Sequence, residues 1–310
     1  MHVDRNLSNQ FETRAEKRRL KQNLTSHVKF LSGEIGERNL YNYENLEKAY
    51  QYIKAALDAS GLAVTIQNYR CQGKLVRNII AEISGSVHKE KIIVVGAHYD
   101  TVLGSPGADD NASGIAALLE LARLFEDIKS KHTIRFAAFT LEEPPVFGSP
   151  EMGSRRYAAK LRENDENVIG MICLEMIGYY SHKKGGQQYP LSLIKHGYPN
   201  VGNFIAVVGD FMSEHLVKQI KDGLETYCKV PSYALATYRS VPGVELSDHS
   251  SFWAYNYPAI MLTDTAFYRN PYYHEKNDVY DTLNYRMFSE LVEGLFHTIK
   301  WIDRIGIHHD

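Results

Sequence analysis

From Val76 onward the chain alternates short, continuous apolar runs with amphipathic stretches, and this alternation limits the fold more than any other feature. "VRNIIAEI", "KIIVVGAH", "TIRFAAFT", "VIGMICLE", "FIAVVGD" and "AIMLTD" read as strands. "SGIAALLELARLFE", "MGSRRYAAKLRE", "SEHLVKQIKDGLETY" and "NYRMFSELVEGLFHTIKWIDRI" read as helices. Upstream, "ENLEKAYQYIKAALDASG" sets Leu46, Ala49, Ile53 and Leu57 on one helical face, and Gly61 closes its end. Strands that are apolar on both faces belong to a largely parallel sheet with helices on either side. The expectation is an α/β chain forming a single three-layer α/β/α domain over residues 1–310, its central sheet mixed but mostly parallel. Within it, residues 1–20 form an N-terminal extension or helix, and Ser181–Asn200 a surface excursion.

Charge and cysteine content narrow the functional classes. Lys and Arg number 35 against 37 Asp and Glu, and no basic run appears, so a nucleic-acid partner is not expected. Three scattered cysteines, Cys71, Cys173 and Cys228, form neither a disulfide framework nor a CxxC zinc site. The first twenty residues lack the apolar core of a signal peptide, and no run is long enough to span a bilayer. The expected location is cytoplasmic, with secretion of a trimmed precursor as the alternative, and no membrane partner is expected.

In open parallel sheets, functional groups collect beyond the carboxyl ends of the strands. Three of these strands end there in a group that could bind a metal. "KIIVVGA" runs into His98 and Asp100, "TIRFAAFT" into Glu142 and Glu143, and "VIGMICL" into Glu175. "GADDNASG" adds Asp109 and Asp110 side by side, two like charges that repel unless a cation or a proton intervenes. Each has a plainer explanation. A histidine at a strand end is commonly a hydrogen-bonded structural group. Glu142 and Glu143 before two prolines suit a solvated loop, and adjacent aspartates suit a helix cap. Glu175, between "MICL" and "MIGYY", is harder to explain so, because burying an unpaired carboxylate costs several kcal/mol. His274 and Asp278 in "YRNPYYHEKNDVYDT", and Asp248 and His249 in "SDHSSFW", supply the remaining candidates.

In this order the motifs "GAHYDT", "GADDNASG", "LEEP", "LEMIG", "SDHSSFW" and "HEKND" resemble the co-catalytic zinc aminopeptidases of the bacterial leucyl aminopeptidase type. Relatives of that family include glutamate carboxypeptidase ectodomains, the transferrin receptor and glutaminyl cyclase. The resemblance runs from about Lys29 to the C-terminus and implies a zinc-dependent exopeptidase fold with two Zn2+ per chain. It implies that Asp110 bridges the ions, that His98 and Glu175 complete one site, and that Glu143 and His274 complete the other. Such histidine and carboxylate sets, with open positions, are the catalytic rather than the structural zinc pattern. The resemblance further makes Glu142 the general base and Asp100 the carboxylate behind the His98 imidazole, with Asp278 doing the same near His274. Asp109 becomes a turn or cap residue, and a cis peptide bond is expected after Asp110. Asp248 and His249 lie beside the site without being ligands. Glu175 stands where the family often has Asp, and Pro144–Pro145 stiffens a loop that shapes the substrate pocket.

The implied reaction is hydrolysis of the N-terminal bond of a peptide or aminoacyl substrate. Competing readings are a single-zinc acyl transferase like glutaminyl cyclase, a receptor-like domain without activity, and a carboxypeptidase using Arg239 or Arg269 to hold a terminal carboxylate.

Overall fold

A computed structural model of the chain describes residues 13–191 and 197–307. An eight-stranded sheet forms its centre, built from β1 (Ala63–Cys71), β2 (Lys74–Ile83), β3 (His88–His98), β4 (His132–Phe139), β5 (Asn167–Glu175), β6 (Ile205–Asp210), β7 (Ser232–Thr237) and β8 (Ala259–Thr263). The spatial order is β1-β2-β4-β3-β5-β8-β6-β7. The inner quartet β4-β3-β5-β8 is parallel throughout, β6 turns antiparallel to β8, and β1 and β2 add an antiparallel margin. The α/β/α layering and mixed, mostly parallel sheet are as expected.

The two faces bury separate apolar sets. One face packs α1 (Arg14–Val28), α2 (Tyr43–Asp58), α3 (Gly114–Phe125), α5 (Glu214–Tyr227) and α7 (Tyr285–Ile305) around Val95, Phe136, Ile172 and Leu262. The other packs α4 (Gly153–Glu163) and α6 (His249–Trp253) over Val94, Phe139, Met171 and Met261. Strand residues of the quartet are buried whichever way they point, which is why those runs lack polar alternation.

Both strands that the apolar runs do not announce are at the margins. β1 alternates exposed and half-buried positions, and β7 is half-buried along most of its length. The N-terminal helix begins at Arg14; residues 1–12 lie outside the described residues. Ser181–Asn200, of which 192–196 also lie outside, does not stand clear of the body. Ser181 and Gln187 N–H donate to Gly202 and Asn200 O, and Gln188 N–H to Tyr268 O, which folds the segment over the β6–β7 end of the sheet.

Candidate active site

Because β4, β3, β5 and β8 are parallel neighbours, the residues at their carboxyl ends meet along one rim. His98 is the last residue of β3 and Glu175 the last of β5; Glu142 and Glu143 follow β4 closely, and His274 lies in the loop beyond β8. The turn Ala108–Ser113, between β3 and α3, brings in Asp110. Gly107 opens that turn at φ 60°, where an added Cβ would collide with the carbonyl oxygen of Asp110. Only glycine fits there. The peptide bond after Asp110 is cis.

Two three-residue groups result, and they share Asp110. His98, Asp110 and Glu175 each offer a donor atom within 4.8 Å of the others, as do Asp110, Glu143 and His274. His98 Nε2 is 3.4 Å from Asp110 Oδ1 and 3.3 Å from Glu175 Oε2. His274 Nε2 is 3.3 Å from Asp110 Oδ2 and 3.3 Å from Glu143 Oε2. Glu142 belongs to neither group, although its Oε2 lies 3.9 Å from His98 Nε2.

The electrostatics are those of a site short of positive charge. Burial opposes charge on His98, yet the carboxylates of Glu142 and Glu175 hold its pKa well above the usual imidazole range. His274 is held up at about 10 by Asp110 and Glu143, again against burial. Burial and the adjacent carboxylates push Glu143 to about 7 and Glu142 well above the carboxylate range. Against burial, the imidazoles of His274 and His98 beside it pull Asp110 down. Several buried carboxylates crowd around two imidazoles, and the Nε2 of His98 and Oε1 of Glu143 are buried without a hydrogen-bond partner. Mixed nitrogen and oxygen donors in two sets sharing a carboxylate suit a pair of divalent zinc-like cations.

Behind the rim, other carboxylates fix the backbone. Asp100 accepts the N–H groups of Glu142 and Glu143, one on each oxygen and both at 3.0 Å, while its Oδ1 lies 3.5 Å from His98 Nδ1. It therefore locks the two glutamates to each other as well as facing the imidazole. Asp278 is not behind His274 in this way. Its oxygens accept the N–H groups of Asp109 (2.9 Å) and Asp110 (3.1 Å), so it holds the turn that carries the shared carboxylate. Asp109 is no simple cap either. It is fully buried and accepts from Gly178 N–H (2.9 Å) and Asn270 Nδ2 (2.8 Å), tying three loops together. Asp264, pushed well above the carboxylate range by burial and by Asp109, pairs with it.

Asp248 is buried beside the cluster, and burial pushes its carboxyl to about 7 with His98 opposing. His249 points elsewhere: its Nε2 donates to Val244 O at 2.7 Å. Arg239 is hydrogen-bonded to Asp210 at 2.9 and 2.6 Å. Arg269 is buried against Gln187 Oε1 and Phe204 O, both at 2.8 Å.

Two contributors carry no clear sequence signal, and a backbone feature joins them. Ser247 Oγ donates to Glu175 Oε2 at 2.6 Å; it begins the "SDHSSFW" motif, which is its only mark. Arg38, fully buried, donates to five backbone carbonyls: Tyr99 (2.9 Å), Leu31 (3.0 Å), Gly36 (2.9 Å), Pro106 (2.7 Å) and Gly107 (2.9 Å). One guanidinium thereby joins the N-terminal helical segment, the exit of β3 and the start of the Asp109–Asp110 turn. Finally, Leu141, Met176 and His274 have φ of 58°, 47° and 59°. Left-handed backbone at such residues costs about 1–3 kcal/mol each and clusters at functional sites. Here all three flank or include rim groups.

Residues 78–299 match the family described as Peptidase family M28, and the chain belongs to that family. It is 40% identical over 282 residues to the uncharacterised protein YfbL of Escherichia coli (strain K12), covering 88% of this chain and 86% of that one. It is 26% identical over 315 residues to leucine aminopeptidase 1 of Metarhizium robertsii, covering 98% of this chain and 72% of the other. The fold superimposes on BSAP, a zinc aminopeptidase from Bacillus subtilis, with a TM-score of 0.72 at 16% identity, over 90% of this chain and 94% of that one.

Proposed function

We propose that the chain is a metal-dependent aminopeptidase that takes two zinc ions. His98, Asp110 and Glu175 would hold one ion; Asp110, Glu143 and His274 would hold the other. The observation that carries this reading is the pair of donor groups joined through Asp110, with Glu142 beside them in neither. A single-zinc acyl transferase has no need for the second complete group.

When bound, the ions supply Lewis acidity to a water and to the scissile carbonyl. The chain's own groups do the rest. Glu142, buried beside both donor groups and belonging to neither, accepts the water's proton and passes it to the leaving amine. Asp100, gripping the amides of both glutamates, keeps base and ligand in fixed relation. Ser247 donates to Glu175 Oε2, the oxygen that faces His98, and so fixes the orientation of that carboxylate.

An apolar cavity opens beside Glu175 and Tyr273, and no lysine or arginine lines it among the described residues. A terminal carboxylate would find no cationic anchor there, and Arg239 and Arg269 are engaged elsewhere. That favours a substrate whose first side chain enters the cavity while its free amine faces the acidic rim. The test is a panel of aminoacyl and N-blocked substrates, with metal content measured on the same sample. Cleavage confined to free amino termini, with two ions per chain, is expected. Cleavage of N-blocked substrates from the carboxyl end, or one ion with cyclisation of N-terminal Gln, overturns it.

A further inference from the structure

Positive charge gathers in one concavity that shares no residue with the metal-binding rim. A groove of about 1010 Å³ runs between α1 and α7. Arg14, Lys17, Arg18 and Lys21 of α1 line it, with Arg286 from the first turn of α7 and Lys229 from just beyond α5. Two carboxylates enter it, Glu290 and Glu293, and Lys17 Nζ neutralises the second at 2.6 Å. The whole chain carries 35 Lys and Arg against 37 Asp and Glu, so the groove runs against the balance of the molecule.

The other five cations are uncommitted. Among the described residues, none of Arg14, Arg18, Lys21, Lys229 and Arg286 forms an ion pair or donates a side-chain hydrogen bond. Elsewhere guanidinium groups are paired: Arg123 with Glu16 and Glu120, Arg135 with Glu82 and Glu166, Arg239 with Asp210. One free cation at a surface is ordinary. Five around a single concavity repel one another, and a cleft of one sign focuses the field and draws anions in.

Helical spacing sets the length of the anion that fits. Arg14, Arg18 and Lys21 stand at i, i+4 and i+7, so they share one side of α1 over about 10 Å. A lone phosphate meets only part of such a row, whereas linked phosphates carry charge along it. Three of the five are arginines, whose forked donors suit bidentate phosphate binding. The volume is at the upper end of small-molecule sites, about 300–1,000 Å³, and a flat bilayer surface does not enter a concavity. We propose that this groove binds a compact soluble anion carrying several linked phosphates, held by Arg14, Arg18, Lys21, Lys229 and Arg286.

The experiment is calorimetric titration of the full, zinc-loaded chain with inorganic tripolyphosphate. One saturable site is expected, weakening about tenfold or more between ~0.05 M and ~0.5 M salt. Arg18→Glu on one wall and Arg286→Glu on the other should each weaken binding about tenfold or more. Arg19→Glu is the control: it lies on the same helix and changes net charge equally, but is outside the lining, and its Kd should stay within about twofold. All three side chains are exposed, so the fold is retained, which circular dichroism verifies. Zinc withdrawn from the rim by the phosphate adds the same heat to every protein and drops out of the comparison. Equal curves for wild type, Arg18→Glu and Arg286→Glu overturn the proposal. So does equal weakening by Arg19→Glu, which makes the attraction unspecific. Binding to phosphatidylglycerol vesicles with none to tripolyphosphate also overturns it, by assigning the basic face to a membrane surface.

Discussion

Replacing Arg38 by lysine separates the charge of that side chain from its shape. Both residues carry one positive charge, but the ammonium has three donors on one nitrogen, whereas the guanidinium reaches five carbonyls spread over three segments. Leu31 O and Gly107 O also accept the N–H groups of Gly36 and Ala112, so the carbonyls that depend on the side chain are those of Tyr99, Gly36 and Pro106; an ammonium that keeps one of them leaves two without a partner, at about 1–3 kcal/mol each. The expected cost is about 2–6 kcal/mol, a large share of the roughly 5–15 kcal/mol that stabilises a domain. Two of the five acceptors, Pro106 O and Gly107 O, immediately precede the Asp109–Asp110 turn, so the loss falls on the element that presents the shared carboxylate. Urea unfolding of the metal-free protein should show a lower midpoint at unchanged slope, and zinc affinity measured against a competing chelator should fall as well. Were Arg38→Lys to unfold within about 0.5 kcal/mol of the parent and bind zinc equally well, the fork geometry would be irrelevant and the reasoning wrong.

Glu142→Gln should keep zinc content and substrate binding but lower kcat by roughly 10²–10⁴-fold. Glu143→Gln should lose zinc first and recover partly with excess metal, and zinc rescue of Glu142→Gln alone would reverse the two assignments. Exhaustive chelation should abolish hydrolysis while leaving the circular dichroism largely unchanged, with activity returning on addition of Zn2+; full activity without metal would refute the mechanism. Burial pushes His249 down to about 4, so the unfolded chain takes up this proton first as pH falls. Its contribution is complete above about pH 6.5 and is lost on the way to pH 4, roughly 2 kcal/mol of it between pH 7 and 5. Denaturant midpoints for wild type and His249→Gln should therefore converge on acidification, and parallel profiles would exclude the effect.

The quartet β4-β3-β5-β8 was legible because both of its faces are buried, which removes polar alternation from the sequence. β1 and β7 were not, because an edge strand keeps polar or half-exposed positions and resembles a loop. The rim groups could be found because a carboxylate or imidazole directly after an apolar strand has one place to go. The groups that hold them were obscure for the opposite reason. Asp109, Asp278 and Arg38 act on backbone atoms far away in sequence, such as Gly178 N–H or Tyr99 O, and a contact of that kind leaves no local pattern. The glycine- and lysine-containing stretch at 181–200 resembled a solvent loop by composition, yet Tyr189 and Tyr198 face inward.

The reversal of β6 against β8 divides labour along the chain. Every group assigned to proton transfer or cation binding is borne at or beyond the parallel strands, or in the turn after β3. The cavity beside Glu175 draws its lining from β6 and β7 as well as β8, and from Tyr189 and Tyr198. Substrate preference can therefore drift within a lineage through changes in a surface segment, while the hydrolytic groups stay fixed.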